Sequence, residues 1–295
     1  MDNEANARSK FAEAQKKSRG GGGFFGMFGG KNVGEAAELY VQAGNLFKLA
    51  KNWTSAGDSF LACAELHGSQ SDGKHDAATQ YAEAGNCYRK VDPKKAVDCI
   101  TKTADIYTDM GRFNMAAKYH CTIAELYETD FPDLEKSMTH WQKAADFYKG
   151  EEAKSSATKC SIKVAQYAAD LGQFRKALTI FEEIAKWETD HSTLKYAAKG
   201  HFFQALLCHL CIDLLDSQTA IGQYESINPT FSESREAKLI KDIIAASEAK
   251  NVDDFTLAVQ NYDKISKLDN WHSALLLKIK KNIAVDDEDE YDDLK

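Results

Sequence analysis

The chain has 295 residues, 43% of them hydrophobic, which is enough for one large globular domain or two ordinary ones. Its net charge of −8 argues against general nucleic-acid binding, because neutralising phosphates requires a basic surface that the chain as a whole lacks. The start MDNEANARSKFAEAQKK has no apolar core, and no run approaches the roughly 18 apolar residues of a membrane span, so we expect neither a secretory signal nor a transmembrane helix.

The composition predicts an all-α fold. Only 3 prolines occur, strong helix formers dominate, and the alternation of apolar and polar residues that is typical of strands is scarce. Seven cysteines, an odd number set in helical patterns, indicate buried reduced thiols rather than a disulfide framework. We therefore expect a cytoplasmic protein.

The amino-terminal region combines basic charge with an apolar loop. Residues 1–34 carry six basic and three acidic residues, a net charge of +3, and residues 20–30 read GGGGFFGMFGG. Its apolar members, Phe24, Phe25, Met27 and Phe28, either cap the end of the helical array or contact a membrane or partner. The glycines favour contact, because a mobile backbone suits a surface loop better than a packed cap. Burial in lipid would contribute roughly 1.5 to 3 kcal/mol per side chain before ordering costs.

The rest of the chain is organised by a repeat of about 40 residues. Five segments align on a small residue, with spacings of 41, 39, 40 and 41: Ala37, Ala78, Ala117, Ala157 and Ala198. In a following element a small residue precedes a large apolar one by four positions, which places both on one helix face. These pairs are Ala56 and Phe60, Ala96 and Ile100, Ser137 and Trp141, Ala177 and Phe181, Ala220 and Tyr224, and Ala258 and Tyr262.

Turn signals separate these elements at Asp92, Pro132, Gly172, Pro229 and Asn251. The pattern predicts a solenoid of helical hairpins, in which each hairpin buries its apolar face on the next. The step from a small residue to an aromatic one is typical of tetratricopeptide repeats, but their period is 34 residues and HEAT repeats share the longer period. We expect one elongated, twisted domain over residues 34–283, with the tetratricopeptide-like interpretation preferred.

Motifs for chemistry are missing, so we expect no enzyme, cofactor or metal site. A Walker loop fails because Phe25 stands at its first glycine and Asn32 follows Lys31. Cys208 and Cys211 form one Cys-x-x-Cys, but a zinc site would need a second ligand pair, so two packed helical thiols are the better interpretation. The chain ends in VDDEDEYDDLK, with a net charge of −6, which is either a solvated acidic end or a short linear motif for a basic receptor.

Several stretches together resemble the soluble NSF attachment protein family, specifically its alpha and beta types, over essentially the whole length. NSF is the N-ethylmaleimide-sensitive fusion ATPase. The stretches are FFGMFGG, FKLAKNW, KHDAAT, AGN, DIYTDMGRF, AELYET, SATKCSIKVAQYAA, HLCIDLL, FSESRE, NVDDFT, LLLKIKK and the ending of acids, leucine and a basic residue.

The resemblance implies a non-enzymatic adaptor made of tetratricopeptide-like hairpins and a carboxy-terminal helical bundle. Several copies of such an adaptor wrap a SNARE complex of syntaxin-type, synaptobrevin-type and SNAP-25-type helices, and they present their carboxy-terminal ends to the hexameric NSF ATPase. It also implies a monomer when free, peripheral membrane association and a role in vesicle fusion. The corresponding division is 1–33 for the amino-terminal helix and loop, 34–232 for the solenoid, 233–285 for the bundle and 286–295 for the acidic tail.

The resemblance also assigns residues. The loop residues Phe24, Phe25, Met27 and Phe28 match the family's membrane-contacting loop. Basic residues match the SNARE-binding surface: Arg112, Lys118, Lys159, Lys163, Lys199 and Arg235. Acidic and terminal residues match the NSF-binding set: Asp213, Glu248, Asp292, Asp293 and Leu294. The chain departs from the family where Ala245 and Ala249 flank Glu248 and where the acidic ending is longer. The alternative function is a general tetratricopeptide scaffold that grips a peptide or chaperone tail.

Overall fold

The computed structural model describes the backbone of residues 3–20 and 29–292 and the side chains of residues 3–19 and 32–283. Every regular element in these ranges is a helix, which confirms the all-α fold class. The helices are α1 (Asn3–Gly20), α2 (Gly29–Leu49), α3 (Trp53–Gly68), α4 (Lys74–Tyr88), α5 (Pro93–Asp109), α6 (Phe113–Thr129), α7 (Leu134–Gly150), α8 (Lys154–Asp170), α9 (Phe174–Thr189), α10 (Ala198–Leu210), α11 (Leu214–Ile227), α12 (Pro229–Ser232), α13 (Arg235–Glu248), α14 (Val252–Asp263) and α15 (Asn270–Asp292).

The predicted turn signals lie at helix boundaries. Asp92 and Asp133 cap α5 and α7, and their carboxylates accept hydrogen bonds from the backbone N–H three residues later at 3.1 and 3.0 Å. Asn251 caps α14 in the same way, accepting from the N–H groups of residues 253 and 254. Gly172, between α8 and α9, has a φ of +76°, a conformation that glycine adopts without the steric cost of a Cβ. These residues therefore fix where the helices begin and end.

The chain divides into two compact units, Met1–Cys160 and Ser161–Lys295. We call them unit 1 and unit 2, and α8 spans the division. The four-part division expected from the sequence stays a prediction. In the described parts of the chain, no helix is both long enough and apolar enough to cross a membrane.

Unit 1 is a regular array in which each helix from α1 to α7 packs on the next one along the chain. The small residues of the repeat and the pairs of small and large residues are buried as predicted, for example Ala56 with Phe60 and Ala96 with Ile100. Glycine residues leave room for the large residues of these pairs. A Cβ at Gly44 would lie 2.8 Å from Phe60 Cζ, and one at Gly85 would lie 2.6 Å from Ile100 Cγ1. The glycine of each AGN stretch thus leaves the space that the large residue of the following helix fills.

Unit 2 is built around one helix rather than a row of hairpins. Helix α10 packs against α9, α11, α12, α13 and α15, and its Phe202, Phe203, Leu206 and Leu207 are all buried. A helix that is apolar on every side must be enclosed by others.

The repeat pattern weakens towards the end of unit 2. Ala177 with Phe181 and Ala220 with Tyr224 are buried, whereas Ala258 and Tyr262 are only half-buried. The spacing of a small and a large residue therefore predicts burial correctly as far as α11 but not in α14.

Each unit also contains a polar contact between helices that bears on its response to pH. In unit 1, His120 of α6 and His140 of α7 approach with their Nδ1 atoms 3.0 Å apart. Their rings stack on Phe147 and Tyr127, with centroids 5.7 and 5.9 Å apart. Burial lowers the pKa of both imidazoles to about 4, and each ring is further opposed by a neighbouring cationic group. At neutral pH the pair is uncharged, so one N–H donates to the other ring.

In unit 2 the corresponding contact joins an acid to a base. Glu182 of α9 accepts a hydrogen bond from the Tyr224 hydroxyl of α11 and lies 3.5 Å from Nε2 of His209 in α10. The hydrogen bond from His209, with further ones from Lys186 and Tyr224, lowers the pKa of Glu182 to about 2 despite its partial burial. The carboxylate therefore ties three helices together in its charged form.

Candidate partner-binding surfaces

Two predicted SNARE-binding lysines lie on neighbouring helices of unit 1. Lys118 is exposed on α6 directly after buried Ala117, and Lys159 is exposed on α8 two residues after buried Ala157. The helices meet at Cys121 and Cys160, whose sulfur atoms are 3.6 Å apart. Both lysines lie within about one helical turn of this contact, which spans 5.4 Å of helix axis. The fold thus brings these two cations to one region of unit 1.

Arg112 occupies a different position in unit 1. It is exposed at the amino-terminal cap of α6, and its backbone N–H donates to the Tyr107 carbonyl at 2.8 Å. Six residues separate it from Lys118, which in a helix corresponds to about 9 Å along the axis and about 120° around it. The structure therefore does not place Arg112 on the same helix face as Lys118.

The remaining predicted SNARE-binding cations belong to unit 2. Lys163 is half-buried, and its ammonium lies 5.6 Å from the centre of the Tyr167 ring, an attraction that orients the side chain. Lys199 on α10 places Nζ 3.8 Å from Oε2 of Glu236, while Arg235 is exposed at the start of α13. An acid that the sequence analysis did not single out therefore lies beside both Lys199 and Arg235.

Glu236 belongs to an open pocket of about 310 Å³ in unit 2. Aromatic rings form part of its wall, since Phe203 lies 5.9 Å from Tyr262 and 5.5 Å from His272 between ring centres. The lining residues are Gly200, His201, Phe203, Gln204, Glu236, Tyr262, Lys267, Leu268 and His272. These lining residues come from segments up to about 70 residues apart, so no local sequence motif could have identified the pocket. Glu236 alone could have been noticed, because it follows Arg235 in the stretch FSESRE.

The predicted NSF-binding acids Asp213 and Glu248 lie on helices of unit 2 that are in contact. Asp213 caps α11, where its Oδ1 accepts from the backbone N–H of Asp216 at 2.9 Å. Glu248 is exposed near the end of α13 and accepts a hydrogen bond from the side chain of Gln218 in α11. Asp213 thus has a structural role beside any binding role. The alanines that flank Glu248, at 245 and 249, are exposed.

The other predicted contacts lie outside what the structure describes. Phe24, Phe25, Met27, Phe28, Asp293 and Leu294 are outside the described residues. Asp292 ends α15, but its side chain is also outside the described set. Helix α15 continues into the region expected to be the acidic tail.

Neither the Cys-x-x-Cys stretch nor the metal-ligating residue types form a metal site among the described side chains. Cys208 is buried within α10 and Cys211 is half-buried at its end, and burial raises the pKa of both thiols, that of Cys211 to about 11. Among the residues whose side chains are described, no group of three or more His, Cys, Asp or Glu residues is arranged to hold a metal ion.

Comparisons with known proteins find close similarity along the whole chain. Residues 5–284 match the protein family described as "Soluble NSF attachment protein, SNAP". The alpha-soluble NSF attachment protein of Mus musculus is 50% identical over 294 residues, covering 98% of this chain and 99% of the relative. The beta-soluble NSF attachment protein of Bos taurus is 48% identical over 297 residues, covering 99% of each chain. A probable vesicular-fusion protein sec17 homolog of Schizosaccharomyces pombe is 32% identical over 278 residues, covering 94% and 96%.

Proposed function

The chain belongs to the soluble NSF attachment protein family, and from this premise we propose that it is a SNARE adaptor. It binds SNARE complexes, recruits the NSF ATPase and stimulates it to take SNARE bundles apart, which supports vesicle fusion and membrane traffic. The observation that carries this proposal is the similarity to attachment proteins over 98% of the chain. The adaptor itself carries out no chemistry.

For SNARE contact we propose Lys118, Lys159, Lys163, Lys199, Arg112 and Arg235. Exposed Lys118 and Lys159 next to the junction of α6 and α8 are the best supported, because two cations in one region suit the acidic surface of a helical bundle. Lys199 is partly neutralised by Glu236, so it contributes less per residue than its formal charge implies. We therefore expect Lys199 to contribute less to the binding energy than Lys118 or Lys159.

For NSF contact we propose Asp213, Glu248, Asp292, Asp293 and Leu294. Exposed alanines stand beside Glu248 where further acids were expected, so the acidic ending carries more of the contact in this chain than Glu248 does. The apolar loop, through Phe24, Phe25, Met27 and Phe28, contacts the membrane peripherally while the rest stays in the cytoplasm. We expect a monomer when free and several copies on one SNARE complex, whose weak loop contacts add through effective concentration.

The adaptor role and the loop are tested together by NSF-driven disassembly of a preformed SNARE complex, both in liposomes and in detergent-free soluble form. Phe24, Phe25 and Phe28 changed to Ala should leave soluble disassembly intact and strongly reduce it in liposomes. A matched control changes Leu49, Val91 and Phe131 to Ala, which removes exposed apolar side chains from unit 1. Equal loss on both substrates would reject the membrane role, and no disassembly by any folded variant would favour the general scaffold function.

The SNARE surface is tested by reversing two charges in unit 1. Lys118→Glu with Lys159→Glu should abolish binding to soluble SNARE bundles at moderate salt, because both exposed cations would then repel an acidic partner. Lys74→Glu is the control, since it reverses an exposed lysine in the first turn of α4, where an acid is compatible with the helix dipole. Unchanged affinity in the double variant would remove both lysines from the interface.

A further inference from the structure

Unit 1 contains a pair of cysteine thiols in direct contact. Cys121 of α6 and Cys160 of α8 are both free, and their Sγ atoms are 3.6 Å apart. The two residues are 39 positions apart, which is one repeat of the array, so the hairpin packing itself brings them together. Cys160 is 3% exposed, whereas Cys121 is half-buried and reachable from solvent.

The distance is short enough for a covalent bond between the two sulfurs. A disulfide has an S–S length of about 2.05 Å, so the two sulfur atoms must approach by roughly 1.5 Å for the bond to form. Other thiols of this chain make different contacts. Cys63, for example, points its Sγ at the carbonyl oxygen of Ala37 at 3.6 Å.

The contact also favours ionisation of one thiol. The two sulfurs share a hydrogen bond in which either can be the donor, so each thiol can stabilise the thiolate of the other. Burial opposes the negative charge at both sulfurs. The thiolate is the reactive form towards oxidants.

We propose that Cys121 and Cys160 form a reversible disulfide when the protein meets hydrogen peroxide, a site of modification that ties α6 to α8. Hydrogen peroxide is the oxidant of choice because it is little larger than water and the site opens to solvent at Cys121. A bulky disulfide oxidant would have to reach a sulfur that α6 and α8 enclose.

The chemistry balances in two steps. The thiolate of one of the two cysteines attacks one oxygen of hydrogen peroxide, the O–O bond breaks, and hydroxide leaves as that cysteine becomes a sulfenic acid. The sulfur of the other cysteine, losing its proton, then attacks the sulfenic sulfur and displaces its hydroxyl as water. Two thiols and one peroxide give one disulfide and two waters, so the cysteines lose the two electrons that the peroxide gains. A dithiol reductant reverses the bond by exchange.

The disulfide would lie close to two exposed lysines of unit 1. Lys118 precedes Cys121 by one helical turn, and Lys159 is the residue before Cys160. The cross-link would close a loop that contains all of α7. Closing such a loop restricts the unfolded chain, so the oxidised protein should unfold several degrees higher than the reduced one.

The test treats the full-length reduced protein with hydrogen peroxide and maps its cysteines by mass spectrometry after digestion. The linked peptides of Cys121 and Cys160 should appear two hydrogen masses lighter than the sum of the separate peptides, and dithiothreitol should restore them. Cys211→Ser, which removes the other half-buried thiol, should behave like the unchanged chain. Cys121→Ser and Cys160→Ser should instead each prevent this linked peptide from forming.

Two results would overturn the proposal. One is unlinked Cys121 and Cys160 after other thiols of the same sample have been oxidised. The other is a cross-link of Cys121 to a different cysteine. The mapping of the unchanged chain decides the question even if a serine variant fails to fold.

Discussion

The two units of this adaptor bury polar groups in opposite ways. Unit 1 encloses two identical imidazoles, His120 and His140, which avoid repulsion by staying neutral. Unit 2 encloses a carboxylate, Glu182, which stays charged because His209 and Tyr224 donate to it. Burial opposes charge in both places, so the difference arises from the partners that each fold supplies. One pattern of helical repeats can therefore produce two units that lose stability at different pH values.

The largest expected effect comes from removing the acid of unit 2. Glu182→Leu removes the half-buried acceptor of the Tyr224 hydroxyl and of His209, which keep only their mutual contact at 3.3 Å. The change should cost about 2 to 3 kcal/mol of unfolding free energy. Urea denaturation measures the loss. Glu183→Leu is the control, since Glu183 is the exposed neighbour and its replacement should change stability by about 0.5 kcal/mol or less. Equal effects at the two positions would show that the contact at Glu182 does not stabilise the unit.

A pH change should separate the two units. The pKa of His120 and His140 is about 4 in the folded chain, against about 6.5 when unfolded, so the unfolded chain binds more protons between these values. Stability that is present above pH 6.5 is therefore lost as the pH falls towards 4. With allowance for solvent screening, we expect unit 1 to lose roughly 1 to 2 kcal/mol between pH 7 and pH 5.

The corresponding loss in unit 2 should come at lower pH. The pKa of Glu182 is about 2 in the folded chain, so its contribution is present above the unfolded value of about 4.3 and disappears as the pH falls from there towards 2. Hydrogen exchange of peptides from α6 and α7, compared with α9 and α11, resolves the two windows. Changing His120 and His140 to Phe should flatten the response of unit 1, while His75→Gln, at an exposed position, should not. Loss of protection in both units over one pH window would contradict the assignment.

The smallest effects concern helix caps, which the units share. Asp133→Ala in unit 1 and Asp213→Ala in unit 2 should each cost about 1 kcal/mol, because each carboxylate satisfies a backbone N–H at the start of a helix. Thermal unfolding measures this cost.

Asp213 should also differ from Asp133 in binding. Asp213→Ser keeps a capping oxygen but removes the charge, so it should restore stability while NSF recruitment stays weakened. Asp133→Ala should leave recruitment unchanged. Normal recruitment by Asp213→Ser would mean that Asp213 serves only as a cap.

The sequence predicts the regular part of the molecule well and its special contacts poorly. The spacing of Ala56 and Phe60, or of Ala96 and Ile100, predicts burial because small and large residues on one helix face need a neighbouring helix. The turn residues predict helix ends because their effect is local. The same spacing fails at Ala258 and Tyr262, which lie on α14 of unit 2 and are only half-buried.

Contacts between distant residues were not predictable from local patterns. His120 meets His140 across a turn, and Cys121 meets Cys160 a full repeat later. The candidate site shows the same limit. The family resemblance assigns Lys118 and Lys159 from sequence alone, but the position of Glu236 beside Lys199 depends on how α10 packs against α13. Aligning the repeats identifies residues at equivalent positions. It does not show whether a charged side chain is neutralised, because that depends on the side chains of the helix packed against it.

The enclosure of α10 has a consequence for the order in which the chain acquires its structure during synthesis. Helices α1 to α7 pack on their immediate neighbours, so their contacts can form as each helix leaves the ribosome. Helix α10 packs against α15, which is made about 60 residues later. The buried ring of Phe203 stacks on His272 of α15, so it remains uncovered on that side in the nascent chain until α15 has been made. This stretch is where a stalled or truncated chain would attract chaperones.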